Sequence, residues 1–191
     1  MLKYNIIYAD PPWQYKDKSL NMGGAERHYK TLPIEEIKNL PVKNLSHKNC
    51  LLFIWVTFPL LLDCISVFNP WGFKYKTCGF VWVKTKPSLN INQAAFFPVD
   101  SFDDYMGMGH YTRSNSEICL IGKKGTPEII NSSVKQIIYH PRLEHSRKPD
   151  ETRDRIVRLC GDLPRIELFA RTKTPGWDVW GNETDKFQPF D

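Results

Sequence analysis

The sequence has no apolar run close to the roughly 20 residues that a membrane-spanning helix needs, and residues 1–5 do not resemble a signal peptide. We therefore expect an intracellular, cytoplasmic protein. The five cysteines are widely scattered, without the paired spacing of a zinc site or a redox dithiol, so we expect buried free thiols. The sequence also has no internal repeat and no glycine-rich loop of the kind that marks a standard cofactor site.

The length and charge of the chain limit its organisation. With 191 residues, of which 41% are hydrophobic, one domain with a substantial core is expected, and a second full domain does not fit. The formal net charge of +5 has the sign that suits a polyanionic partner. Its small size makes it only a weak indication of nucleic-acid binding.

Strand-like and helix-like runs alternate along the chain, which predicts an α/β fold. Most strand-like runs are continuously apolar, as expected for a sheet covered on both faces. The predicted strands are Asn5–Ala9, Leu51–Thr57, Cys78–Lys84, Ile118–Gly122, Val134–Tyr139 and Arg165–Ala170. The predicted helices are 33–38, a buried helix over Phe58–Phe68, and Pro149–Cys160, which Gly161 ends.

The most informative feature of the sequence is Asp10-Pro11-Pro12-Trp13, which follows an apolar run ending at Ala9. Proline has a fixed φ and no N–H, so the backbone cannot turn back into a helix and Asp10 and Pro11 stay extended. One carboxylate and the free carbonyl of Pro11 then point the same way beside an aromatic face.

This pair of acceptors is suited to an exocyclic amine of a nucleobase. Such an amine is a poor nucleophile because its lone pair is delocalised, and two acceptors on its hydrogens would return density to the nitrogen. The Trp13 ring would offer a stacking face to a base turned out of its helix. The alternative is an ordinary turn in which Asp10 bonds to its own backbone. Burial of Asp10 in a salt link remote from any cavity would contradict the catalytic interpretation.

Seven blocks along the chain support a more specific interpretation. They are Tyr8–Trp13, Phe53–Thr57, Gly79–Lys84, Glu117–Gly122, His145–Glu151, Ile166–Arg171 and Gly176–Glu183. In this order they resemble the MT-A70 family of S-adenosylmethionine-dependent adenine-N6 methyltransferases, which act on RNA or DNA. The resemblance implies a single Rossmann-like methyltransferase domain over residues 1–191. It further implies a mostly parallel sheet, helices on both faces and a circularly permuted motif order.

The resemblance also implies roles for individual residues. Those that resemble the catalytic tetrad, which holds the target amine, are Asp10, Pro11, Pro12 and Trp13. Those implied to contact the cofactor are Asp10, Lys148, Leu168, Phe169, Arg171, Asn182 and Glu183. Those implied to line the adenine pocket are Tyr29 and Trp55. Core packing or surface charge is the alternative for several of these positions, and direct transfer of the methyl group requires no metal ion and no covalent enzyme intermediate.

The expected function is transfer of a methyl group from S-adenosylmethionine to N6 of adenine in nucleic acid. DNA is favoured because the chain is compact and lacks the zinc fingers and long tails of RNA-modifying relatives. The alternatives are an RNA adenine-N6 methyltransferase, a non-catalytic nucleic-acid-binding subunit of a methyltransferase complex, and an enzyme for a free small molecule. The expected partners are nucleic acid and either a second copy of the chain or a methyltransferase partner subunit, with no membrane.

Two polar stretches, Asp17–Arg27 and Lys84–His110, show no regular pattern. Loops of such length in a compact domain are commonly functional. Both would flank a site at the end of the first strand, where open α/β sheets bind their ligands. We expect these stretches, a partner or a second copy to supply target specificity.

Overall fold

The computed structural model describes residues 3–15, 31–86, 107, 111–142 and 147–185. These ranges contain seven strands and four α-helices. The strands are β1 (Tyr4–Ala9), β2 (Ser46–Val56), β3 (Lys74–Thr85), β4 (Ser116–Lys124), β5 (Ile137–Pro141), β6 (Arg165–Leu168) and β7 (Asp178–Trp180). The helices are α1 (Ile34–Asn39), α2 (Val42–Leu45), α3 (Leu61–Phe68), which follows a 3-10 turn at Phe58–Leu60, and α4 (Glu151–Cys160).

All seven strands form one sheet in the order β5-β3-β4-β2-β1-β6-β7. Strand β4 is antiparallel to both of its neighbours, β2 and β3. The other four pairings are parallel. The prediction of a mostly parallel sheet in a Rossmann-like α/β fold is therefore confirmed.

The two faces of the sheet carry separate apolar cores. On one face, Ile37 of α1, Val42 of α2 and Val67 of α3 are buried against the sheet. On the other face, Ile156 and Cys160 of α4 are buried. Successive residues of β1 and of β2 contribute to opposite cores, because side chains alternate across a strand. Covering both faces explains why these strands are continuously apolar in the sequence.

Helix α4 is fixed to the sheet by a buried ion pair. Arg153 donates from Nε to Glu167 Oε2 at 2.7 Å and from Nη2 to Glu167 Oε1 at 2.8 Å. Glu167 lies in β6, and both side chains are almost fully buried. The helix ends at Gly161, as predicted, and the φ of +90° at this residue suits glycine.

The predicted helix over Phe58–Phe68 is present, but the prediction that it is buried is wrong. Phe58 is 50% exposed and Leu62 is 81% exposed. Only one side of α3 packs on the sheet, where Cys64, Val67 and Phe68 are buried. Apolar residues on its other side therefore face away from the core.

Two short elements were not predicted, because α2 has four residues and β7 has three. The predicted strand Val134–Tyr139 is shifted to Ile137–Pro141.

All five cysteines are free, and four are buried, while Cys78 is only partly buried. Among the described residues, no helix combines the length and the hydropathy that a membrane crossing requires.

Candidate active site

The strands bring the implied site residues to one edge of the sheet. Strand pairing aligns the ends of four strands. Ala9, the last residue of β1, pairs with Ile54 of β2 and with Leu168 of β6, and Leu168 pairs in turn with Trp180 of β7. Because these strands are parallel, the residues that follow them emerge at the same edge. Asp10 is the first residue to follow β1 there.

The Asp10–Trp13 segment is fixed by backbone hydrogen bonds. The carbonyl of Pro11 accepts the N–H of Trp13 at 2.9 Å, and the carbonyl of Pro12 accepts the N–H of Leu32 at 2.8 Å. The expectation that the Pro11 carbonyl is free is therefore corrected. A carbonyl oxygen has two lone pairs, so that of Pro11 retains the capacity to accept a second donor.

Both tryptophans implied in the site are structural in this fold. Trp13 is 7% exposed and donates from Nε1 to the carbonyl of Trp55 at 2.9 Å. Trp55 is 0% exposed and donates from Nε1 to the hydroxyl of Tyr8 at 2.6 Å. Both rings therefore support the site from within the core, while the roles expected for them, a stacking face at Trp13 and a pocket wall at Trp55, stay predictions.

Asp10 retains access to solvent but is ion-paired. Its side chain is 21% exposed, and its Oδ2 accepts a hydrogen bond from Lys148 Nζ at 2.9 Å. Burial raises the pKa of Asp10, and the Lys148 ammonium opposes that rise. A lysine that was expected at the cofactor thus lies against the carboxylate that was expected to be catalytic.

The ends of β6 and β7 form the second part of the site. Phe169 follows β6 with a φ of +62° and packs edge-on against Trp180, with ring centroids 5.3 Å apart. Two residues further on, Arg171 Nε lies 3.2 Å from Glu183 Oε2. Asn182 is exposed beside this pair, whereas Leu168 is 2% exposed and belongs to the core. Of the five residues implied to hold the cofactor here, four are therefore at least partly accessible: Phe169, Arg171, Asn182 and Glu183.

Two charged residues at the site were not singled out from the sequence. Glu117 Oε2 lies 3.2 Å from Lys148 Nζ, and Glu117 Oε1 lies 2.7 Å from Lys84 Nζ. Burial opposes ionisation of Glu117, but the two ammonium groups prevail and lower its pKa. The sequence did contain a signal, because each residue is a charge directly beside an apolar run: Lys84 follows Phe80–Val83, and Glu117 precedes Ile118–Ile121.

The sequence pattern of the MT-A70 family matches residues 4–183. The chain belongs to the MT-A70 family. The resemblance of the seven blocks is therefore confirmed.

Individual relatives agree with this membership. The chain is 35% identical over 201 residues to the type II methyltransferase M.MunI of Mycoplasma sp, with 95% of this chain and 78% of that protein covered. It is 30% identical over 195 residues to the N(6)-adenosine-methyltransferase catalytic subunit METTL3 of Homo sapiens, with 99% and 30% covered. It is 31% identical over 186 residues to a putative N(6)-adenosine-methyltransferase MT-A70-like protein of Medicago truncatula, with 95% and 26% covered.

The chain thus spans most of M.MunI but only a quarter to a third of the N(6)-adenosine-methyltransferases it matches. The family match over residues 4–183 nevertheless spans every site residue described above. Membership in MT-A70 places the chain among adenine-N6 methyltransferases.

Some of the residues expected at the site lie outside the described residues. Tyr29 is one of them, as are all of Asp17–Arg27 and, apart from residues 84–86 and 107, the stretch Lys84–His110. Within the described chain, a cavity of about 560 Å³ lies between α4 and residues 172–177. A second cavity of about 320 Å³ is lined by Lys135 and Arg155. Neither includes Asp10. Of the conditions that would contradict a catalytic Asp10, the salt link and the distance from both cavities are met, but burial is not, because the side chain is 21% exposed.

Proposed function

We propose that this chain transfers a methyl group from S-adenosylmethionine to N6 of adenine in nucleic acid, with DNA as the favoured polymer. The observation that carries the proposal is the Asp10 carboxylate, partly exposed at the edge where β1, β2, β6 and β7 end. Beside it, the Pro11 carbonyl has a second lone pair available. Together they supply the two acceptors that an exocyclic amine needs.

The residues after β6 and β7 fit S-adenosylmethionine, which supplies an electrophilic methyl carbon when bound. Arg171, Asn182 and Glu183 offer the forked donors and acceptors that suit a ribose diol and a carboxylate. The Phe169 ring gives these polar groups an apolar neighbour. In this arrangement Asp10 and Pro11 orient the target amine, and Lys148 influences the charge of Asp10.

The choice of DNA rests on the comparison with relatives. The chain is 35% identical to the type II methyltransferase M.MunI and matches 78% of it, whereas it is 30% identical to METTL3, whose name refers to adenosine, a ribonucleoside, and matches 30% of it. The higher identity and the larger shared part favour the type II enzyme as the guide to the substrate. RNA is the second candidate, because the adenosine relatives align over nearly the whole chain.

A methyl-transfer assay tests the proposal. The purified chain is incubated with methyl-labelled S-adenosylmethionine and with duplex DNA, single-stranded DNA or RNA of one sequence, and the products are digested to nucleosides. We expect N6-methyldeoxyadenosine as the main labelled product. N6-methyladenosine alone would support the RNA alternative, and no labelled adenine nucleoside from any polymer would refute the proposal.

Two further measurements separate the remaining alternatives. A non-catalytic subunit that does not use the cofactor should give no heat on titration with S-adenosylmethionine. An enzyme for a free small molecule should bind DNA with little dependence on salt. Phosphate contacts release counterions, so a nucleic-acid enzyme should bind more weakly as salt is raised.

A further inference from the structure

Four charged side chains of alternating sign form a row at the active-site edge. Asp10 Oδ2 lies 2.9 Å from Lys148 Nζ, and the same Nζ lies 3.2 Å from Glu117 Oε2. The other oxygen of Glu117, Oε1, lies 2.7 Å from Lys84 Nζ. The exposed fractions of these side chains are 21% for Asp10, 8% for Lys148, 15% for Glu117 and 16% for Lys84.

Four separate parts of the fold contribute to this row. Asp10 follows β1, and Lys148 lies three residues before α4 begins at Glu151. Glu117 lies near the start of β4, and Lys84 lies near the end of β3. Because β4 is antiparallel to β2 and β3, its first residues reach the edge where those strands end. The sheet order therefore builds the row.

The row addresses a competition between the lysine and the substrate for the charge of Asp10. Lys148 is bound to Oδ2 of Asp10, and Oδ1 can still accept a hydrogen bond, but the ammonium reduces the negative charge that Asp10 offers to the target amine. Lys148 is almost buried, so separating it from Asp10 without a replacement would leave a desolvated charge, which is strongly unfavourable. A second carboxylate within reach of the same ammonium removes that obstacle.

We propose that Glu117, held in place by Lys84, is a positioning residue that takes over Lys148 from Asp10 when the target adenine amine binds. This inference rests on the proposed function. Glu117 already lies 3.2 Å from the ammonium, so the transfer needs only a small movement of one side chain. Lys84 completes the row by balancing the second carboxylate, so the four charges sum to zero both before and after the transfer.

Lys84 is well placed for this supporting role. Its ammonium lies 5.1 Å from the centroid of the Trp82 ring, a distance at which the ring face attracts a cation. Lys148 likewise lies 5.8 Å from the centroid of the Trp55 ring. The two lysines thus approach Glu117 from different sides, each beside a buried indole.

The electrostatics of Asp10 supply a signature for the transfer. Burial raises the pKa of Asp10, Lys148 and Arg171 lower it, and the negative charge of Glu117 raises it. The other titratable groups that face Asp10 from the packed strands are Tyr8, Cys119 and Glu167. Removing the charge of Glu117 should therefore lower the pKa of Asp10. Removing Lys84 should raise it, because a positive charge is lost and Lys148 is drawn towards Glu117.

The experiment measures methylation against pH for Glu117→Gln and Lys84→Met at saturating S-adenosylmethionine. Glu117→Gln should reduce the maximal rate roughly tenfold, because Lys148 then stays on Asp10 and the amine is poorly oriented. The acidic limb of its pH–rate profile should nevertheless move to lower pH, because the pKa of Asp10 falls. Lys84→Met should move the acidic limb to higher pH, whereas Lys84→Arg keeps the charge and should retain the wild-type limb.

A matched ion pair on the surface provides the controls. Lys38 Nζ lies 2.8 Å from Glu35 Oε1 on α1, and Glu35 is 70% exposed. Glu35→Gln and Lys38→Met change the net charge by the same amounts without touching the row. Both controls should keep the wild-type rate and the wild-type acidic limb.

A carbon-13 NMR titration of the Asp10 carboxyl carbon gives a readout that does not depend on activity. Opposite shifts of its midpoint in Glu117→Gln and Lys84→Met would support the inference. Equal midpoints, or shifts in the same direction, would overturn it. If either variant fails to fold by circular dichroism, the midpoint of the other variant against wild type decides. If the wild-type chain methylates no adenine, the proposed function fails, and the titration still tests the exchange of charge.

Discussion

Gly181 allows the end of β7 to lie against the turn that follows β6. A Cβ atom at this position would lie 2.6 Å from the carbonyl oxygen of Ala170 and 2.8 Å from its nitrogen. The neighbouring backbone is held in place by a hydrogen bond, because the N–H of Ala170 donates to the carbonyl of Trp180 at 3.1 Å. A larger residue would therefore displace the backbone that carries Phe169 and Arg171.

We predict that Gly181→Ala destabilises the protein by about 1–3 kcal/mol, the usual cost of overpacking. The same change should weaken S-adenosylmethionine binding, because both flanking segments move. Denaturant unfolding and calorimetric titration measure the two effects.

Asn182→Ala is the matched control for this prediction. Asn182 is exposed, so its truncation should leave the free energy of unfolding within about 0.5 kcal/mol of wild type. Only cofactor binding should weaken. Wild-type stability for Gly181→Ala would show that the close approach at this glycine is not needed.

At the scale of single residues, the sequence predicts which functional groups the site contains better than it predicts which side chains are exposed. The proline pair after Asp10 predicts the extended carboxylate, because proline restricts the backbone locally. Whether the aromatic rings of Trp13 and Trp55 face a ligand or the core depends on residues distant in the sequence. Their indole hydrogen bonds to Trp55 and Tyr8 could not be predicted from local pattern.

At the scale of elements, α4 and β6 are joined by the Arg153–Glu167 pair. Burial raises the pKa of Glu167, and Arg153 opposes that rise. Arg153 also lies 5.6 Å from the centroid of the Tyr8 ring in β1. The guanidinium therefore ties α4 to the two strands that position Asp10 and Phe169.

We predict that Arg153→Met destabilises the protein by about 3–5 kcal/mol near neutral pH, because Glu167 is left charged and buried without a partner. The pKa of Glu167 in the folded state should then rise further. A raised folded-state pKa means that stability is lost as pH rises above the ordinary glutamate range. The loss should therefore shrink when unfolding is measured at pH values near and below that range.

Lys38→Met is a suitable comparison, because it breaks an exposed ion pair that should contribute less than about 1 kcal/mol. A loss of stability for Arg153→Met that is equal at all pH values would contradict the account of Glu167.

The elements themselves were largely predictable. Strand-like runs, most of them continuously apolar, predicted six of the seven strands, and the proline, acidic first turn and terminal glycine predicted α4. The three-residue β7 gives no periodic signal of its own. The exposed side of α3 was missed because Phe58 and Leu62 are apolar yet lie away from the sheet.

At the scale of the whole molecule, the sheet order determines which residues meet. Parallel pairing brings Asp10, Phe169 and Gly181 to one edge, and antiparallel pairing of β4 adds Glu117. The sequence could not predict the contact between Lys148 and Glu117. It depends on the non-local pairings of β4 and on the path of the chain into α4.

The central claim is that the charge and oxygens of Asp10 orient the target amine. The most direct test is single-turnover methylation by Asp10→Asn, compared with Asp162→Asn, which makes the same charge change at a side chain that is 87% exposed. We predict that Asp10→Asn retains its fold but, at saturating S-adenosylmethionine, methylates at least about 100-fold more slowly, as when one preorganised charge-stabilising group is lost. Asp162→Asn should match wild type. Methylation at the wild-type rate by Asp10→Asn would contradict the claim.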